Sequence, residues 1–268
     1  MTAFPSPHFR VVVTGCASGV GRGVATRLLG DHLPLILNDV NHIGERMRSR
    51  VVGLGGAFLR GDIRTSDTRD GLARLCGAGV DAIVPCAARG PLYRNPEEIV
   101  ETDFMAATRL VADLRGKIKR GGRVVFISST AAYRNEWGER WDGLLDEALD
   151  GNRCETLWRD IGRMTSGEAY SLAKHCVLKA TMRLARELAI HRITVNCLAS
   201  GPIKTSMSKP LWGTRPAMWA RLIAEAPFGD FSMPSDVVAH VLFLCGRSAR
   251  NTTGSVIHVD GGWHATNA

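Results

Sequence analysis

Tyr170 and Lys174 stand four residues apart in the run Tyr-Ser-Leu-Ala-Lys, and Ser128 and Ser129 close an apolar run some forty residues upstream. On a helix, positions i and i+4 share a face, so the phenol and the ammonium meet at one spot. A fixed positive charge stabilises phenolate over phenol, and a Tyr beside it can move protons near neutral pH. The pair alone is a common coincidence of spacing. Its weight comes from the other chemistry along the chain.

The apolar run Val11-Val12-Val13 leads into Thr14-Gly15-Cys16-Ala17-Ser18-Gly19-Val20-Gly21 and then a helical pattern. Glycines at 15, 19 and 21 permit a tight turn and let the backbone approach a pyrophosphate at the helix N-terminus. The spacing is G-x-x-x-G-x-G, in the strand-to-helix context that a dinucleotide loop requires. A second apolar run ends at Asp39, 24 residues after Gly15. A carboxylate at that distance accepts hydrogen bonds from adenosine ribose hydroxyls and repels a 2′-phosphate. Ser18 brings no positive charge to offset such a phosphate, so both residues point to NAD over NADP.

Short apolar runs alternate with longer amphipathic stretches, the rhythm of a parallel sheet with helices on both faces. Strands are expected at 9–14, 35–38, 57–60, 82–85, 124–128, 194–197 and 256–259. Helices are expected at 21–29, 97–119, 168–190 and 235–245. The segment 134–165 breaks the rhythm, and the spacing of its Trp and Leu residues predicts one or two short amphipathic helices. The chain is long enough for one large α/β domain or two small ones, with no internal repeat or low-complexity linker.

Other classes find little support. The net charge is +8, yet the arginines are spread along the chain with no basic run and no interleaved aromatics, which argues against nucleic acid. No apolar run reaches the ~18 residues of a bilayer span, and the N-terminus shows no secretory pattern. The seven cysteines are odd in number and form no Cys-x-x-Cys pair; with no ligand cluster elsewhere, no metal is expected and the cytoplasm is the expected compartment.

Taken in order, Thr-Gly-x-x-x-Gly-x-Gly, Asp39, Ser128-Ser129, Tyr-x-x-x-Lys and the C-terminal Val259-Asp260-Gly261-Gly262 resemble the short-chain dehydrogenase/reductase family over nearly the whole chain. The resemblance implies a single Rossmann-like domain over 1–268, a doubly wound parallel sheet of about seven strands. It also implies hydride transfer between nicotinamide and a carbonyl or alcohol carbon. By the same resemblance Ser129 holds and polarises the substrate oxygen. Tyr170 is the acid in reduction and the base in oxidation. Lys174 lowers the phenol's pKa and holds the nicotinamide ribose. Asp62 and the amide of Ile63 meet the adenine; Cys86, Ala87 and Ala88 flank the cofactor; Gly201, Ile203 and Thr205 lie beside the nicotinamide carboxamide. Members of the family are commonly homodimers or homotetramers.

Three positions depart from the family pattern. Cys86-Ala87-Ala88 replaces Asn-Ala-Gly, Ser200-Gly201 replaces Pro-Gly, and Asp103 replaces an Asn that supports a water in proton relay. A carboxylate at 103 can hold that water but brings charge near the lysine. The forty residues between Ser129 and Tyr170 exceed the usual gap and resemble the bacterial 3α-hydroxysteroid dehydrogenase/carbonyl reductase type. The insertion is expected to serve either as a lid over the substrate or as a changed subunit interface. The segment 207–228, with Trp212, Met218 and Trp219, is a second candidate wall, suited to a bulky hydrophobic or cyclic alcohol or ketone. Alternatives are a cyclic diol or sugar as substrate, or a catalytically weak dinucleotide-binding regulator.

Overall fold

Seven parallel strands lie in the order β3-β2-β1-β4-β5-β6-β7 in a computed structural model that describes residues 4, 6, 8–151 and 154–267. Val11–Thr14 (β1) is buried throughout and leads into helix α1, Gly19–Gly30. Then follow β2 (Leu35–Asp39), α2 (Glu45–Gly53), β3 (Ala57–Arg60), α3 (Ser66–Cys76) and β4 (Val80–Pro85). The second half runs through α4 (Pro96–Val100), α5 (Ala107–Leu114) and β5 (Ile118–Ser129). Next come α6 (Asp142–Asp150), α7 (Glu155–Ile161), α8 (Ser166–Leu188) and β6 (Thr194–Ser200). The chain closes with α9 (Lys209–Thr214), α10 (Pro216–Ala224), α11 (Pro234–Cys245), β7 (Val256–Val259) and α12 (Trp263–Asn267).

The strands are nearly continuous apolar runs because both faces are covered. One face packs against α1, α2 and α11 through Val24, Leu28, Val51, Val237 and Val241. The other packs against α3, α5 and α8 through Leu72, Leu110, Phe126, Leu172 and Val177. The strand order reverses between β1 and β4, and at such a switch point the carboxyl ends of the strands open a crevice.

Two elements differ most from their expected extents. The helix expected over 97–119 is divided: α4 gives way to a π turn at Glu101–Ala106, α5 ends at Leu114, and Lys119 already belongs to β5. Strand β5 starts six residues earlier than expected because Ile118 pairs with Val80 before the register shifts, where Gly121 adopts a positive φ of 79°.

Helix α8 positions the Tyr-Lys pair. Its start is fixed by a capping box: the Thr165 hydroxyl accepts from the Glu168 amide at 3.2 Å, and the Glu168 carboxylate accepts from the Thr165 amide at 2.8 Å. Thirteen of its twenty-three residues are buried, more than one face, because a second layer lies on it. That layer is the insertion. Helix α6 packs on α5 and α8, and α7 on α4, through Trp141, Leu144, Leu145, Leu157, Trp158 and Ile161. Residues 152 and 153 of the expected 134–165 segment lie outside the described residues.

Glu147 holds the insertion together from within. Its carboxylate is buried and accepts from the Trp158 indole at 2.8 Å and the Cys154 amide at 3.1 Å, with Arg109 at 3.4 Å; Arg109 in turn pairs with Glu101 at 2.7 Å. Glu147→Gln keeps one acceptor but loses the charge, so we expect a loss of about 1–3 kcal/mol in stability. Urea unfolding measures that loss, and faster amide exchange confined to 142–161 locates it. Unchanged exchange there would show that the network does not hold the insertion.

Candidate active site

A cleft of about 920 Å³ opens at the carboxyl ends of the strands. The glycine loop forms one end. Gly15 has a φ of 66°, and a Cβ there would meet the Ala87 nitrogen at 2.6 Å; a Cβ on Gly21 would meet the Gly15 carbonyl at 2.2 Å. Only glycine lets these backbones touch. The loop is also tied to β4's end, since the Ala87 amide donates to the Thr14 hydroxyl at 3.2 Å. At the start of α1, Ser18 makes no side-chain cap and the first turn carries no acidic residue. The helix therefore presents unsatisfied N–H groups and its positive end to the cleft, next to Gly19 and Val20. This cradle fits a pyrophosphate.

Asp39 sits beside the loop at the end of β2. One carboxylate oxygen accepts from the Ala17 amide at 2.8 Å and the other from the Asn41 amide at 2.9 Å. The carboxylate is thus fixed against the cleft with acceptor capacity left. Asp62, expected to meet the adenine, also lines the cleft but is engaged by a neighbour. Arg64 forks it, with Nη2 at 2.7 Å and Nε at 3.0 Å, and the Arg64 amide adds a bond at 2.9 Å. Those bonds hold the carboxyl below its usual range and use most of its lone pairs. The arginine two residues on is a partner that the sequence reading missed. The neighbouring Ile63 also lines the cleft.

Ser129, Tyr170 and Lys174 converge at the centre. Ser129 ends β5 and its hydroxyl accepts from the Ala131 amide at 3.2 Å, which pins the side chain at the start of a tight turn. Tyr170 and Ser129 line the same part of the cleft, and the Ser129 hydroxyl favours the phenolate of Tyr170. Lys174 Nζ lies 5.4 Å from the Tyr170 ring centroid and donates to the Ile127 carbonyl at 3.3 Å. The Ser128 hydroxyl donates to the Lys174 carbonyl at 2.8 Å, locking α8 to the strand. The adjacent serines thus divide the work, one facing the phenol and the other the helix backbone.

Asp103 takes a different place. It does not line the cleft but lies behind Lys174, on the π turn, with Oδ2 3.1 Å from Nζ and Oδ1 accepting from the Arg89 amide at 2.5 Å. The lysine is therefore paired directly with the carboxylate. The pair is fully buried. Burial alone would lower the Lys174 pKa, but the Asp103 carboxylate more than offsets it and keeps the ammonium charged. Burial pushes the Asp103 carboxyl up against the pull of Lys174. The Tyr170 phenol is likewise pushed up by burial, which outweighs the downward pull of Lys174 that the spacing predicts.

Cys86, Ala87 and Ala88 line the cleft beside the lysine, and burial raises the Cys86 thiol to about 12, so it is inert there. Across the cleft runs the segment Gly201–Ser208. Ile203 bridges to Ser232, and the Ser208 hydroxyl donates to the Ile203 carbonyl at 2.6 Å. Thr205 approaches the glycine loop, within 3.7 Å of where a Gly19 Cβ would stand. The substrate end is walled by Leu211, Met218, Trp219 and Leu222. Trp212, expected in that wall, is not part of it; its ring lies under Lys204 at 5.3 Å. Among the described residues of the insertion, only its ends, Arg134 and Thr165, line the cleft. The body of the insertion covers α5 and α8, so it is not a lid. Arg134 pairs with Glu225 at 2.5 Å and thereby ties the turn after Ser129 to the end of α10.

The chain is similar to known proteins along most of its length. Residues 11–205 match the family described as NAD dependent epimerase/dehydratase, and residues 159–264 match the one described as enoyl-(acyl carrier protein) reductase. The 3-alpha-hydroxysteroid dehydrogenase/carbonyl reductase of Comamonas testosteroni is 26% identical over 94% of this chain and 95% of its own. The solved 3-alpha-hydroxysteroid dehydrogenase of Pseudomonas sp. B-0831, complexed with NADH, superposes with a TM-score of 0.77 at 22% identity, covering 96% of this chain and 97% of that one. A putative NAD(P) dependent gluconate 5-dehydrogenase from Beutenbergia cavernae, with NADP bound at low occupancy, gives 0.74 at 24% identity and 98% coverage of both chains.

Proposed function

Because the chain belongs to the short-chain dehydrogenase/reductase family of nicotinamide-dinucleotide oxidoreductases, we propose that it interconverts a secondary alcohol and a ketone with NAD(H), on a hydrophobic or cyclic substrate. The observation that carries this reading is the convergence of Ser129, Tyr170 and Lys174 on one cleft, with the lysine ammonium 5.4 Å from the Tyr170 ring centroid. When bound, the nicotinamide would supply the hydride for the carbonyl carbon and Tyr170 would give the oxygen its proton, so that ketone, NADH and a proton become alcohol and NAD+. Ser129 holds the substrate oxygen, and Tyr170 gives or takes its proton. Lys174 supports the phenolate and reaches the nicotinamide ribose.

The cofactor's other contacts follow from the cleft. Gly15, Ser18, Gly19, Val20 and Gly21 cradle the pyrophosphate, and Asp39 accepts from the adenosine ribose. With Asp62 forked by Arg64, the Ile63 amide is the better placed partner for adenine. Gly201, Ile203 and Thr205 stand beside the carboxamide. The apolar wall of Leu211, Met218, Trp219 and Leu222 suits a hydrophobic substrate over a sugar. Seven unpaired cysteines suit a reducing cytoplasm. A homodimer or homotetramer would meet through a face other than the outer side of α5 and α8, which the insertion occupies.

A panel of cyclic and aromatic ketones set against sugars and small polar ketones, each with NADH and NADPH, tests the reading. Catalytic efficiency is expected to favour NADH by about 10²-fold, because a 2′-phosphate beside Asp39 costs several kcal/mol. Asp39→Ser should narrow that ratio by at least about tenfold. The ratio is the relevant readout, since Asp39 also anchors the Ala17 amide. A clear preference of the native protein for NADPH, or for sugars, would overturn this assignment.

A further inference from the structure

On the oxidoreductase assignment made above, we propose that Asp103 cancels the charge Lys174 would otherwise present to Tyr170, so that the phenol is kept as a proton donor and the site is built for carbonyl reduction. The geometry is specific. Asp103 Oδ2 lies 3.1 Å from Lys174 Nζ with both side chains buried, and the Arg89 amide holds Oδ1 in place. Viewed from the phenol, the lysine is therefore one end of an ion pair and not a lone cation. The field of a pair falls off faster than that of a single charge, so less of it reaches the hydroxyl.

Several elements pack around the phenol of Tyr170. From α8 comes Lys174, from the π turn Asp103, and from the end of β5 the Ser129 hydroxyl. From the loop after β4 come Cys86, whose thiol stays protonated, and Arg89, whose side chain is drawn to Glu98 at 3.7 Å and to the Tyr93 ring. From β6 comes Cys197, protonated as well, behind Lys174. Arg134, at the cleft edge, is neutralised by Glu225. The balance at Tyr170 thus rests on Lys174 and Asp103. Burial raises the phenol, Lys174 lowers it, Asp103 raises it again and the Ser129 hydroxyl lowers it, with a net shift upward.

The consequence is directional. In reduction the Tyr170 O–H bond breaks as the O–H bond of the alcohol forms, and the phenolate recovers its proton from solvent water. That step draws on the phenol form, which is abundant at neutral pH. Oxidation draws on the phenolate, whose share falls about tenfold for each pH unit below the phenol's pKa. Oxidation should therefore climb with pH well into the alkaline range, while reduction stays level through neutrality.

The chain has three tyrosines, Tyr93, Tyr133 and Tyr170, so each phenol can be followed by 13Cζ-tyrosine NMR on the NAD-loaded protein, with Tyr170→Phe assigning the signal. Asp103→Asn keeps the shape and an acceptor for Lys174 but removes the charge. We expect it to shift the Tyr170 titration down by about one pH unit or more, a tenfold or larger loss of proton affinity. Asp103→Ser should act alike if the Asn variant folds poorly, and Asp103→Glu, which keeps the charge, should stay near the native curve. An unchanged or upward titration in the neutral variants would overturn the proposal. The oxidation arm of the rate profile should move with the phenol where a substrate is known. A shifted phenol in a protein that reduces no ketone would count against the substrate assignment alone, because the NMR readout needs no turnover.

Discussion

Replacing Tyr170 by Phe should lower turnover by about 10³-fold while leaving dinucleotide affinity within about twofold of native. The substitution deletes one oxygen and keeps the ring, so the packing of α8 and the contact with Lys174 at 5.4 Å survive. What disappears is the proton carried to or from the substrate oxygen. The pyrophosphate cradle at Gly15–Gly21 and the Asp39 anchor lie at the other end of the cleft and are untouched. Steady-state rates on the best substrate of the panel, paired with a fluorescence titration of NADH, separate the two effects. Turnover within tenfold of native would remove Tyr170 from the chemistry. A large fall in NADH affinity would instead mean that the phenol's main task is to shape the cofactor site.

Much of the frame follows from patterns that the chain displays locally. Strands bounded by turn residues on both sides, such as 57–60 and 256–259, fall where their apolar runs place them. The Tyr170–Lys174 face is legible because an unbroken helix converts a spacing of four into proximity. What is not legible depends on irregular backbone or on distant partners. The π turn at Glu101–Ala106 has no hydrophobic period of its own, and yet it carries Asp103 to the lysine. The first turn of β5 holds Lys119, Arg120 and two glycines, so its polarity hides an extended segment. Arg64 lies only two residues from Asp62, but a sequence does not tell whether an arginine folds back onto its neighbour or reaches into solvent. The apolar stripe of the insertion shows that it packs; only the tertiary structure shows that it packs on α5 and α8.

Lys174→Met should be the costliest single change in the site, because it leaves Asp103 buried without its cation. Removing one partner of a buried ion pair typically costs 3–5 kcal/mol, most of it the penalty for the charge left behind, so a loss of about 4 kcal/mol is expected at neutral pH. Asp103 can escape that penalty by taking a proton, and burial already raises its carboxyl. In the variant its folded pKa lies above the unfolded value of about 4, so the folded state binds more protons between the two values. Stability should then rise as pH falls toward about 4 and drop as pH climbs through the folded pKa, whereas the native protein, with the pair intact, should vary less over the same window. The double variant Lys174→Met/Asp103→Asn removes the orphaned charge as well. It should recover at least about 2 kcal/mol of the loss, a coupling that the double-mutant cycle reads directly from urea unfolding. Equal stability of the single and double variants would show that Asp103 is not the source of the cost, and that the lysine's contribution lies in its packing and its bond to Ile127. Rescue of stability without rescue of turnover is the expected pattern, since the double variant restores the buried balance of charge but not the cation that Tyr170 needs.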